Sequence, residues 1–130
     1  MGGKVAIVIL NWNGQKLLKQ FLPSVLKHTP ISDVYKIIVA DNASTDASVD
    51  YLHKEFPSVE VLTLTENFGF AEGYNQALKQ IGAEYFVLLN SDVEVTSGWL
   101  DPLIKYLEKN QDVSIVQPKI LYQRKKTKFE

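Results

Sequence analysis

Val5-Ala6-Ile7-Val8-Ile9-Leu10 runs directly into Asn11-Trp12-Asn13-Gly14. Six consecutive apolar residues, four of them β-branched, fit a strand buried on both faces. After Gly14 the period changes. Leu17, Leu18, Phe21, Leu22, Val25 and Leu26 recur at spacings of one and four and form one apolar helical stripe. Pro23 lies inside the stripe and is expected to kink the helix or mark a short first piece.

The same switch repeats along the chain. Residues 35–40 read as a second strand. Asp41-Asn42-Ala43-Ser44-Thr45-Asp46 is a turn crowded with helix-capping side chains, with Ser44 and Asp46 expected as N-caps. Val49, Leu52, His53 and Phe56 give a short helix stopped by Pro57. Residues 59–64 read as a third strand and 66–73 as a loop with two glycines. Tyr74, Ala77, Leu78 and Ile81 give a third helix, and residues 85–89 a fourth strand. Ser97 is expected to cap a fourth helix through Leu100, Leu103, Ile104 and Leu107, with Pro102 in its first turn. Residues 113–116 are expected to begin a fifth strand whose pairing Pro118 limits. This alternation implies an α/β fold: a three-layer α/β/α arrangement with a mostly parallel, Rossmann-like sheet and right-handed crossovers. Residues 1–123 read as one domain and 124–130 as a basic tail.

Composition narrows the class. The 130 residues carry 14 Lys+Arg against 15 Asp+Glu, and no cysteine, which removes disulfides, thiolate metal sites and thiol nucleophiles. The apolar run at 5–10 is far short of the roughly 20 residues of a spanning helix. No secretory signal is expected either, and Ala6 stands where a myristoylation motif wants Ser or Thr. The expected location is cytoplasmic. Arg124, Lys125, Lys126 and Lys128 fall in the tail, so the rest of the chain is net acidic. That excludes a general nucleic-acid binder, which needs a basic face. The tail could touch an anionic membrane from the inner face, but a solvated end is the simpler reading.

In parallel sheets ligands bind at the carboxyl ends of the strands. Here those ends lead into Asn11–Gly14, into residues 41–46, into Glu66-Asn67-Phe68-Gly69-Phe70-Ala71 and into Asn90-Ser91-Asp92. All are rich in Asn, Asp, Ser or Gly, while the opposite edge has ordinary turns. Asp41 can accept hydrogen bonds from a ribose hydroxyl or a base imide, or simply turn the chain. Asn67 and Gly69 precede a helix N-terminus, where N–H groups and the dipole suit a diphosphate, or form a routine glycine turn. Asn75, on the first or second turn of that helix, faces a ligand or a neighbouring loop. Asp92 can seat a hard divalent cation with phosphate oxygens and water, or be a turn residue, and Glu94 is a helper or exposed. Trp12 and Phe68 flank a nucleobase or pack in the core. A G-x-G-x-x-G loop and a P-loop are missing, and His28 and His53 lie on helices away from the polar edge.

Taken together, residues 8–13, 39–46, 66–75 and Leu88-Leu89-Asn90-Ser91-Asp92 resemble the amino-terminal, nucleotide-sugar-binding part of the inverting family 2 glycosyltransferases, with the A-type glycosyltransferase fold. The resemblance covers about residues 5–121, and its wording is closest to rhamnosyltransferase-like members. It implies that Asn11 and Asn13 line the donor cleft and that Asp41 contacts the base or ribose. Asn67, Gly69, Ala71 and Asn75 would border the nucleotide. Asp92 matches the last acid of the family's Asp-x-Asp motif and would bind Mn2+ or Mg2+; Asn90 replaces its first acid. The implied donor is a nucleoside-diphosphate sugar. The implied acceptor is a glycan or lipid-linked hydroxyl, as in polysaccharide biosynthesis.

The family's catalytic base lies downstream of the metal motif. After Glu94 only Asp101, Glu108, Asp112 and Glu130 are acidic, and none stands in a matching context. The expectation is therefore a piece of a longer enzyme, itself inactive, with the base beyond Glu130. The alternative is a non-catalytic nucleotide-binding or scaffold domain on the same fold.

Overall fold

A computed structural model describes residues 4–30, 32–122 and 125–129. The elements are β1 (Val5–Asn11), α1 (Gln15–His28), β2 (Tyr35–Asp41), α2 (Ser48–Glu55), β3 (Glu60–Thr63), α3 (Phe70–Leu78), β4 (Tyr85–Leu89), α4 (Asp101–Lys109), β5 (Leu121–Tyr122) and β6 (Lys125–Phe129). The main sheet has the order β3-β2-β1-β4, and every pairing in it is parallel.

The order explains where the helices go. From β1 through β3 the chain steps outward in one direction, so right-handed crossovers put α1 and α2 on one face. It then crosses back past β1 to β4, and the same handedness puts α3 on the other face. Side-chain packing follows. Leu18, Leu22 and Val25 of α1, Leu52 of α2 and Ile104 of α4 pack with Val5, Ile7 and Ile9. Tyr74 and Ala77 of α3 pack with Ala6, Val8, Ile38 and Ala40. Alternate residues of β1 thus feed two separate cores, which is why its apolar run is unbroken.

Four details differ from expectation. Pro23 does not split α1, because Pro23 is exposed and the apolar stripe holds the helix on both sides of it. α3 starts at Phe70 rather than Tyr74, because Gly69 adopts φ +80 and ends the loop early. α4 starts at Asp101 after Leu100, so Ser97 is not its cap. Residues 113–116 form no strand, since they find no ladder partner, and Ile115 is 85% exposed. In the basic segment, Lys125–Phe129 pairs antiparallel with Leu121–Tyr122. Arg124 and Glu130 lie outside the described residues. Among the described residues, no helix is long and apolar enough to cross a membrane.

Candidate functional site

β1 and β2 end level, with Asn11 beside Asp41, while the β1–β4 pairing stops at Ile9 and Leu89. The chain leaves β1 toward β2 on one side and returns to β4 on the other. The crevice between the two carboxyl ends is a topological switch point. A cleft of about 420 Å³ opens there. Leu10, Trp12 and Leu17 line it from β1 and α1, Asn42 from the end of β2, Asn67, Gly69 and Phe70 from the start of α3, and Asn90, Ser91 and Asp92 from the end of β4.

Four of the expected site residues, Asn67, Gly69, Asn90 and Asp92, therefore share one cleft. Asn67 Oδ1 accepts from the Gly69 N–H at 2.9 Å, which shapes the turn into α3. The α3 N-terminus has no side-chain cap, so its first N–H groups are left for another acceptor. Asn90 and Asp92 are both exposed. Ala71 and Asn75 are exposed on α3 outside the cleft lining, and Asn75 Nδ2 donates to Glu72 Oε2 at 3.4 Å. Of the two aromatic candidates, Trp12 lines the cleft and Phe68 does not; Phe70 takes that place, 66% exposed.

Asn11, Asn13 and Asp41 belong instead to a network that joins the loops after β1 and β2. Asp41 is buried. Its Oδ1 accepts from Asn11 Nδ2 at 2.9 Å and from the Ser44 hydroxyl at 2.7 Å, and its Oδ2 accepts from the Ser44 N–H at 2.9 Å. The Ser44 hydroxyl also accepts from the Asn13 N–H at 2.8 Å and from Asn11 Nδ2 at 3.3 Å. One donor and two acceptor positions are then all used. Ser44 is thus a loop hub rather than a helix cap. Asn13, at φ +49, accepts on Oδ1 from the N–H groups of Thr45 at 2.7 Å and Asp46 at 3.1 Å. Asp46 receives the N–H of Ser48 at 3.0 Å and of Gln15 at 3.4 Å, holding the starts of α1 and α2 together. Burial raises the Asp46 carboxyl, but the bonds from Ser48 and Gln15 outweigh it and the pKa falls below its ordinary value.

Two features of this network carry further detail. The buried Oδ1 of Asn11 has no partner, and a Cβ on Gly14 would lie 2.5 Å from it, so only glycine fits there. Asn42, which reads in the sequence as one more turn residue, is buried and ties the cleft together. Its Oδ1 accepts from the Phe68 N–H and its Nδ2 donates to the Gly69 carbonyl, both at 2.9 Å. The signal that could have found it is two consecutive polar residues at a strand end: the pleat sends them to opposite faces, and with both faces covered here both are buried.

As for a cation, Asp92, Asn90 and Ser91 present a hard-oxygen donor set at the cleft lip. Among the described residues no group of three or more His, Cys, Asp or Glu could hold a metal ion. A soft or tightly caged metal is thereby a poor fit. An ion of the magnesium type, which takes one or two carboxylates and fills its shell with phosphate and water, fits.

The chain is 32% identical over 112 residues to the poly(ribitol-phosphate) beta-glucosyltransferase of Bacillus spizizenii, covering 83% of this chain and 18% of that protein. Among solved structures it matches a mannosyltransferase from Pyrobaculum calidifontis in complex with GDP-Man and Mn2+, with TM-score 0.70, 22% identity, 82% of this chain and 33% of that one. It also matches S. aureus TarS 1-349 in complex with UDP-GlcNAc, with TM-score 0.72, 19% identity, 94% of this chain and 41% of that one. The α/β architecture is therefore that of A-type glycosyltransferase structures. The chain spans about a third or less of the length of the curated relatives it matches. The family model for glycosyl transferase family 2 matches residues 6–129, and the chain belongs to that family.

Proposed function

We propose that this chain is the donor-binding part of an inverting glycosyltransferase that takes a nucleoside-diphosphate sugar with Mn2+ or Mg2+. The observation that carries the reading is the cleft itself, which sets the uncapped N-terminus of α3 opposite Asn90, Ser91 and Asp92. Each side suits one half of a metal diphosphate: N–H groups for the anion, a carboxylate for the cation. Trp12 and Phe70 supply aromatic faces for the base. Asp41 has three of about four acceptor positions filled, which leaves one on Oδ2 for a base imide or ribose hydroxyl. Asn11 and Asn13 shape the wall behind it, and Ala71 and Asn75 stand on the helix that borders the nucleotide. When bound, the cation would offset charge developing on the leaving diphosphate.

Among the described residues, Asp92 is the only acidic side chain lining the cleft. If it holds the cation, the base that deprotonates the acceptor hydroxyl comes from outside this cleft, and the chain alone turns over poorly. The donor is assigned as a class. The motif wording is rhamnosyltransferase-like, whereas the relatives and neighbours include glucosyl- and mannosyltransferases. The acceptor assigned is a glycan or lipid-linked hydroxyl on the cytoplasmic side.

The test is calorimetry of UDP, dTDP and GDP against the protein with and without Mn2+. Binding strengthened by Mn2+ is expected for at least one nucleotide, with the strengthening lost in Asp92→Asn. An unchanged Mn2+ effect in that variant rejects the assignment of Asp92. The single carboxylate also favours a second reading, a non-catalytic nucleotide-binding domain. Sugar transfer by the whole parent protein would reject that alternative.

A further inference from the structure

We propose that Tyr74 is a positioning residue: its buried hydroxyl, at the last rung between β1 and β4, fixes the peptide from which Asn90, Ser91 and Asp92 depart. The inference rests on the reading of that segment as the cation side of the donor cleft.

β1 and β4 pair only as far as Ile9 and Leu89, while β1 continues beside β2 to Asn11. The sheet opens at that point, and the opening is the cleft. At its root the Tyr74 hydroxyl donates to the Leu89 carbonyl oxygen at 3.0 Å and receives the Leu10 N–H at a long 3.5 Å. The Leu89 carbonyl and the Asn90 N–H belong to one planar peptide unit. A bond that orients the first therefore orients the second, and with it the direction in which the chain leaves β4.

The hydroxyl is placed from α3, not from β4. Tyr74 is 4% exposed, packs with Ala6, Val8 and Ala40, and meets the Phe70 ring edge-on with centroids 5.3 Å apart. The preceding residue lets the helix approach so closely. A Cβ on Gly73 would stand 3.0 Å from both Leu10 Cδ2 and Asn42 Nδ2. Phenylalanine would fill the ring space equally well and bury no polar atom. Burial raises the Tyr74 pKa, which keeps the group a neutral donor. What tyrosine adds is the bond to the rung, and so a mechanical link from the aromatic wall of the cleft to its acidic lip.

Tyr74→Phe removes only the hydroxyl. UDP is titrated with and without Mn2+ against the wild type and the variant. The wild type is expected to bind more tightly with Mn2+. The variant should lose about three- to ten-fold of that Mn2+-dependent gain, the range of one hydrogen bond, with metal-free affinity kept. An unchanged gain, or an equal loss with and without Mn2+, overturns the inference. If the wild type itself shows no gain, the functional reading of Asp92 falls and the backbone decides. Tyr74→Phe must then shift the amide resonances of Asn90, Ser91 and Asp92 more than those of β2. Shifts confined to α3 overturn the inference.

Discussion

Asn42 holds Gly69 across the mouth of the cleft, its Nδ2 donating to the Gly69 carbonyl at 2.9 Å while its Oδ1 takes the neighbouring Phe68 N–H at the same distance. A primary amide accepts on one atom and donates from the other, as both bonds require. Asn42→Asp keeps the acceptor and turns a second oxygen toward the carbonyl; Asn42→Ala leaves both backbone groups unpaired. Each is expected to cost about 2–3 kcal/mol, read as a lower urea midpoint at unchanged slope. Nucleotide binding should weaken with it, because the loop bearing Asn67 loses its tether.

Ser44 has all of its hydrogen-bonding capacity used within the two loops, among Asn11, Asn13 and Asp41. Ser44→Ala removes three bonds at a half-buried position and leaves Asp41 Oδ1 with Asn11 alone. A loss of about 1–2 kcal/mol is expected in chemical denaturation. Ser44→Thr keeps the hydroxyl and should recover most of it. A Ser44→Ala protein as stable as the parent would show the network to be replaced by solvent.

The strands were legible in the sequence from their apolar runs, unbroken at Val5–Leu10, where β1 is buried on both faces, and nearly so in Tyr35–Asp41; Tyr85–Leu89 is equally apolar although, on the edge strand, Phe86 and Leu88 are exposed. The start of α3 was not, because Gly69 and Gly73 look alike in sequence. Gly69 ends a loop at φ +80, whereas Gly73 lies inside the helix because Leu10 and Asn42 leave no room for a side chain. Residues 113–116 have the apolar content of a strand, but a ladder needs a neighbour. The site divides in the same way. Polar residues at strand ends place the cleft, yet they do not say which polar groups face a ligand and which face each other. Asn67 and Asp92 reach the cleft, while Asn11, Asn13 and Asp41 spend most of their hydrogen bonds on the loops around them.

Asn90 sits beside Asp92 at the cleft lip with no charge of its own. Asn90→Asp adds a second carboxylate of near-identical shape to the proposed cation seat. Mn2+ should then strengthen nucleotide binding by about ten-fold more than in the parent, while without Mn2+ the added negative charge should weaken it. The same calorimetric pair of titrations reads both. Tighter binding in the absence of metal would place the diphosphate elsewhere.

Tyr35 donates its hydroxyl to the Asp101 carboxylate, joining β2 to the first turn of α4. That bond, with burial and the nearby negative charge, pushes the phenol pKa up from 10.0 to about 12. A raised pKa stabilises the folded state fully below pH 10, and the contribution drains away as pH rises toward 12. Urea midpoints measured across this window should fall in the parent and fall less in Tyr35→Phe. Parallel curves for the two proteins would remove Asp101 as the cause.

Gly73 and Gly82 should respond in opposite ways to alanine. A glycine inside a helix usually gains about 0.5–1 kcal/mol on conversion to alanine, since the unfolded chain loses freedom. At Gly73 the new Cβ would meet Asn42 Nδ2 and Leu10 Cδ2 at 3.0 Å. The Leu10 side chain can rotate away, but the Asn42 amide is pinned by bonds to Phe68 and Gly69 and cannot yield without breaking one. Gly73→Ala is therefore expected to destabilise by about 1–3 kcal/mol and to push α3 off the sheet. At Gly82 nothing lies within 4 Å of the added carbon, so Gly82→Ala should be neutral or slightly stabilising. Thermal unfolding of the two variants decides it: the Gly73→Ala midpoint should drop by several degrees and the Gly82→Ala midpoint should not. Combining Gly73→Ala with Asn42→Ala, which frees the pinned neighbour, should cost less than the sum of the single changes, because the clash disappears with the amide.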